Sequence, residues 1–137
     1  MAPVQPEASV ASPSPTSLRY IGDHVYALGG EFGRATAEQT VLDVRSGSGY
    51  IVGRLTVSAG IAGGNASGGV TTFQVQFNGN TILWLKVESA QEDMASNTFA
   101  DLILPPFTQM TVITDSDSTD ATFQTTTVFT GRVYGVE

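Results

Sequence analysis

The sequence predicts an all-β fold: a two-sheet antiparallel β-sandwich, a jelly roll of about eight strands, preceded by an extended N-terminal arm. Three observations carry this expectation. Beyond Leu18, short runs of Val, Ile, Thr, Phe and Tyr are separated by clusters of Gly, Asn and Asp, the one-dimensional signature of strands joined by turns. These runs recur about every 10 to 15 residues with almost no helical periodicity, which matches a two-sheet sandwich or a barrel and does not fit alternating strand and helix units. At Asn78-Gly79, residues suited to a tight hairpin turn stand between two alternating segments. A chain of 137 residues, 41% of them hydrophobic, is long enough for one domain with a sizeable core.

From Met1 to Ser17, Pro3, Pro6, Pro13 and Pro15 are set among Ala and Ser, with Glu7 as the only side-chain charge. Such a segment buries too little apolar area to offset the entropy of ordering, so residues 1–17 read as an arm and residues 18–137 as the folded body. The arm is either a frayed terminus or a tether lying along a neighbouring subunit, and its prolines lower the entropy lost on binding.

The strands then follow in order: Arg19 to Leu28, Thr36 to Arg45 and Tyr50 to Ser58. Next comes the hairpin, in which Phe73, Val75 and Phe77 alternate with Thr72, Gln74 and Gln76 before the Asn78-Gly79 turn. On its return strand, Thr81 to Glu88, Leu83, Leu85 and Val87 alternate with Ile82, Trp84 and Lys86. The six apolar alternating residues Phe73, Val75, Phe77, Leu83, Leu85 and Val87 are expected in the core. Because the return strand starts apolar on both faces, Trp84 is expected in the core or between subunits, with an exposed aromatic platform as the other reading. A single polar helical turn is possible at Ala90 to Ala95. Thr98 to Leu104 is a strand ended by Pro105-Pro106, which cannot donate ladder hydrogen bonds. Phe107 to Thr114 and Ala121 to Val136 complete the set.

Composition excludes much chemistry. The net charge of −7 argues against a nucleic-acid backbone or an anionic membrane as main partner. No Cys and one His remove disulfides, thiolate zinc, Cys nucleophiles, iron-sulfur clusters and multi-histidine sites. The first residues lack the basic and apolar regions of a signal peptide, and no apolar run approaches the roughly 20 residues of a membrane span, so a soluble protein is expected.

The apparent nucleotide motifs fail on their spacing. Gly47 to Gly53 places its last glycine one residue too far and leads into a strand, so it reads as a turn. Gly60 to Gly69 has no Lys-Ser or Lys-Thr and reads as a sheet-connecting loop. Asn65-Ala66-Ser67 matches a glycosylation acceptor by accident if there is no export signal. Asp115, Asp117 and Asp120 are the one carboxylate cluster able to suit a hard cation, but the Gly and Glu of a calcium loop are missing; a solvated turn is the preferred reading. His24 lacks a placed partner, since Asp23 is expected on the opposite face of its strand. Nothing in the spacing of Glu31, Glu38, Asp43, Glu88 and Asp101 selects a catalytic pair. No catalytic residue and no metal, nucleotide or redox cofactor is therefore expected.

The stretch Phe99 to Glu137, with its proline-marked corner, acidic turn and final strand ending in FTGRVYG, resembles the end of jelly-roll decoration or cement proteins of viral capsids. It is also similar to the terminal strand of tumour necrosis factor-like and complement-globular-head jelly rolls. The first resemblance implies a non-enzymatic, often trimeric protein on the outer surface of a phage capsid, with the major capsid protein as partner. Its attachment would use the arm, through Pro3, Pro6, Pro13 and Pro15, together with Trp84. The alternative is a ligand-binding jelly-roll module of a fibre or surface protein, in which Trp84, Tyr20, Tyr26 or Tyr50 stacks on a sugar.

Overall fold

The computed structural model describes residues 18–33, 38–61, 69–89, 96–116 and 123–135. Among these residues there is no helix, and nine strands account for nearly everything: β1 (Arg19–Ile21), β2 (His24–Gly33), β3 (Gln39–Arg45), β4 (Tyr50–Ile61), β5 (Gly69–Phe77), β6 (Asn80–Ser89), β7 (Ser96–Leu104), β8 (Gln109–Ser116) and β9 (Phe123–Tyr134). The arm, the loop residues 62–68, the possible helical turn at 90–95, and Asp117 and Asp120 of the acidic turn lie outside the described residues.

The strands form a five-stranded sheet, β1-β2-β9-β4-β7, and a four-stranded sheet, β3-β8-β5-β6. Every pairing is antiparallel. From β2 onward the chain crosses between sheets at each connection except the β5–β6 hairpin, which is the winding of a jelly-roll sandwich. The expected count of about eight strands becomes nine because the run from Arg19 to Leu28 is not one strand. Gly22, at φ 63°, takes a left-handed conformation, and Gly22-Asp23 folds β1 back on β2 as a short edge hairpin.

Alternation along each strand sorts the residues between core and surface. Leu55, Val57, Phe129 and Ile51 from one sheet meet Phe73, Val75, Met110, Val112 and Leu42 from the other, all essentially without solvent contact. Of the six hairpin residues expected inside, Phe73, Val75 and Val87 are buried, while Phe77, Leu83 and Leu85 are partly buried against that core. β6 is an edge strand, so its inward side chains are covered from one side only. Gly53 and Gly131 stand directly opposite each other on β4 and β9. A Cβ on Gly53 would come within 2.5 Å of the Thr130 carbonyl oxygen and 2.9 Å of the Phe129 ring, so Gly53 gives Phe129 its place in the core, while a Cβ on Gly131 would meet the Val52 carbonyl and the Ile51 side chain.

Asn78 and Gly79, at φ 51° and 85°, make the two-residue turn that the sequence predicts. Beyond it the register slips: Gln76 faces Thr81, but Val75 faces Leu83, leaving Ile82 as an unpaired bulge residue. This explains the two apolar faces of the return strand. Ile82 is an insertion directed to solvent, not the start of a second buried face.

The Pro105-Pro106 corner is tied down from the β3–β4 loop. The Ser46 hydroxyl donates to the Pro105 carbonyl at 2.6 Å and accepts from the Thr108 amide at 2.9 Å, and the Phe107 amide donates to the Gly47 carbonyl at 2.8 Å. Phe107 itself sits at φ 52° with 72% of its surface exposed. The strand expected from Phe107 therefore begins at Gln109, because the turn set by the prolines extends through Thr108.

Candidate functional site

A sandwich of this kind offers two outer faces, and they differ in chemistry. On the five-stranded sheet the outward positions form rows across the strands: Ile103, Val52, Arg132 and His24; then Asp101, Arg54, Thr130, Tyr26 and Arg19; then Phe99, Thr56, Val128 and Leu28. Of the nine large apolar side chains exposed among the described residues, Ile21, Leu28, Val52, Phe99, Ile103 and Tyr134 are on this face. Arg54 joins the rows. Its guanidinium reaches Asp101 at 2.8 and 3.3 Å and lies 4.0 Å from the centre of the Phe99 ring. The hydrogen bond from Arg54 holds the Asp101 carboxyl below its ordinary value, and the same bond raises Arg54. Tyr50 and Tyr134, opposite each other on β4 and β9, stack with ring centres 5.4 Å apart.

The four-stranded sheet presents amides, hydroxyls and charges. Its outward residues include Asp43 and Arg45 on β3, Thr111, Ile113 and Asp115 on β8, Thr72, Gln74 and Gln76 on β5, and Trp84 and Lys86 on β6. Trp84 is 63% exposed, so this chain does not bury it in its core. It stands in register with Gln74, which stands in register with Ile113. The Gln74 amide donates to the Thr81 hydroxyl, and Gln109 donates to Asp43 at 2.8 Å, which orders part of this polar surface. A shallow groove of about 110 Å³ crosses the strands here, lined by Glu38, Thr72, Gln74, Trp84, Ile113, Thr114 and Asp115.

The other residues singled out in the sequence fall apart or regroup. Tyr20 packs toward the core, Tyr26 lies on the five-stranded face, and Tyr50 stacks on Tyr134, so none of them joins Trp84. Asp23 is a turn residue, not a strand residue on the opposite face from His24. Its carboxylate lies 3.6 Å from the imidazole and 3.4 Å from Arg132, at the exposed edge of the five-stranded sheet. Of the carboxylates considered for acid-base work, Asp101 is held by Arg54 on one face, and Asp43 and Glu38 belong to the other side. The side chains of Glu31 and Glu88 lie outside those described. Asp115 is the next-to-last residue of β8, and among the described residues no three of His, Cys, Asp and Glu converge as a metal would require. Gly47 to Gly49 form the turn into β4, as their spacing predicts. The five-stranded face was the feature that sequence reading missed. Its signal was the second apolar set on β4 and β7, Val52, Phe99 and Ile103, which alternates with the buried set. Compared with known proteins, the chain matches no family model and no curated protein.

Proposed function

We propose that the protein is a non-enzymatic structural component of a virion that decorates the outer surface of a bacteriophage capsid. It bridges coat subunits as a homo-oligomer, most simply a trimer, after synthesis in the host cytoplasm. The observation that carries this reading is the apolar outer face of the five-stranded sheet, where Ile103, Phe99, Leu28 and Ile21 are each at least half exposed in the single chain. Exposed apolar side chains gathered on one sheet face, here interleaved with arginines, mark that face for docking. The Pro-rich segment 1–17 joins the body at Leu18, beside β1, an edge strand of the same sheet. A tether and a docking face that engage the same shell are linked weak attachments, and each raises the other's effective concentration. Arg19, Arg54 and Arg132 also lie on this face, so the docking side is spared the acidity of a chain with net charge −7.

The test is co-sedimentation with shells assembled from the coat protein of the virus that carries this chain, alongside sedimentation equilibrium of the chain alone. The expected result is saturable shell binding and a species of three times the 14.4 kDa chain mass. The Phe99→Asp, Ile103→Asp double variant is expected to lose both with its circular dichroism unchanged, and deletion of Met1 to Ser17 is expected to weaken shell binding alone. A 14.4 kDa species at every concentration overturns the trimer. Undiminished shell binding by the double variant overturns the docking face.

A further inference from the structure

The groove on the four-stranded sheet is not used by the docking reading, since it opens on the far side of the sandwich. We infer that this groove binds a neutral, hexose-based oligosaccharide, with Trp84 as the stacking platform and Gln74, Thr72, Asp115 and Glu38 as partners for the sugar hydroxyls. The inference does not depend on capsid attachment.

Trp84 carries the argument because folding does not account for its position. Trp84 is 63% exposed, and its neighbours on the same face are Thr72, Gln74 and Lys86 together with the aliphatic Ile82 and Ile113. A protein partner would want a wider apolar surround for such a ring than two isoleucines among polar groups. A pyranose instead presents one face of C–H groups and an edge of hydroxyls, and so calls for a flat aromatic surface bordered by polar groups. The groove has this composition. Carboxylates accept from hydroxyls, the Gln74 amide can do both, and Ile113 supplies an apolar floor.

Position and charge narrow the ligand. Trp84 is on edge strand β6 and Glu38 directly precedes β3 at the other edge, three strand spacings or about 14 Å away, enough for a short run of sugars and not one ring alone. The lining groups project from paired strands, so little ordering is lost on binding. Two carboxylates in the groove, on a chain of net charge −7, repel uronic, sialic and sulfated saccharides. Among the described residues no second aromatic lines the groove, so a single stack makes for modest affinity.

Trp84 is the only tryptophan in the chain, so its emission reports on the groove directly. The full chain is titrated with cellohexaose, maltohexaose, laminarihexaose, mannohexaose and chitohexaose, and with hexagalacturonate as the acidic counterpart. The expected result is a saturable emission shift with at least one neutral hexamer and none with hexagalacturonate. By calorimetry, Trp84→Ala weakens that binding at least about tenfold, Trp84→Phe recovers part of it, and Asp115→Asn weakens it by less. The inference is overturned if no neutral hexamer binds at about 10 mM, if Trp84→Ala binds as the parent does, or if hexagalacturonate binds equally well. Shell binding by Trp84→Ala is expected at the parental level, which separates failure of this inference from failure of the docking proposal.

Discussion

The two outer faces of the sandwich are built from the same strand geometry and share one core, yet one carries most of the exposed apolar side chains, set among arginines, and the other is mainly polar. On the five-stranded sheet, Val52 and Ile103 face each other across β4 and β7, with Phe99 two rows away beside the Arg54 guanidinium of the row between. On the four-stranded sheet, the corresponding positions hold Thr111, Gln76, Gln74 and Thr72. Strand propensity alone does not separate the two, because Thr, Val, Ile and Phe all suit a pleated surface. What separates them is solvation. A sheet face of Gln and Thr stays in water without loss, while one of Ile, Val and Phe gains free energy when it is covered. Trp84 on the mainly polar face therefore means something different from Phe99 on the more apolar one.

The widest break in this comparison comes from the core on which both faces rest. Phe129 lies over Gly53 and has no solvent contact. Phe129→Ala leaves a cavity that the glycine cannot fill, at a cost of about 3–5 kcal/mol. Thermal melting is expected to show a midpoint lowered by more than about 10 °C. Trp84 emission, which reads the four-stranded sheet, should follow the same transition as circular dichroism, which reads both sheets. Two separate transitions would mean that the faces do not share one cooperative core.

The Ile82 bulge shows how far the sequence itself could be read. Turn chemistry and alternation were plain in Asn78-Gly79, Phe73 and Val75, and both sheet halves of the hairpin formed as they predict. Trp84 was harder, because a strict period of two placed Ile82 and Trp84 on one face with Leu83 and Leu85 on the other and gave no hint of the inserted residue. The same holds for Val41 and Leu42, which are both buried because β3 also slips between Thr40 and Leu42. Bulges are set by pairing with a partner strand, and the partner is not visible in a local pattern. The groove was out of reach for a related reason: Glu38, Gln74, Trp84 and Asp115 meet only through the order β3-β8-β5-β6. If Ile82 is a bulge, removing it restores an unbroken ladder from Phe77–Asn80 through Val75–Leu83. Deletion of Ile82 is then expected to leave the fold intact with a midpoint change of only a few degrees and Trp84 emission still that of an exposed indole. A collapsed melt, or a blue-shifted emission from Trp84, would show that the register depends on the insertion.

The smallest effect lies in the charges on the apolar face. Asp101 is exposed, and the two hydrogen bonds from Arg54 lower its carboxyl from the ordinary value of 3.8. A depressed carboxyl contributes stability that is fully present above its unfolded value and is lost as the pH falls through the folded one. The effect is therefore confined to acid below about pH 4, and solvent screening keeps it slight for so exposed a pair. A carbon-detected titration of the Asp101 carboxyl should give a midpoint below 3.8 in the parent. Arg54→Gln should return the midpoint toward that value and also free the Phe99 ring from its cationic cover. If Arg54→Gln leaves the Asp101 midpoint unchanged, the guanidinium is not held against Asp101 in solution. The face would then lack the ordered ion pair that borders Phe99 on β4 and β7.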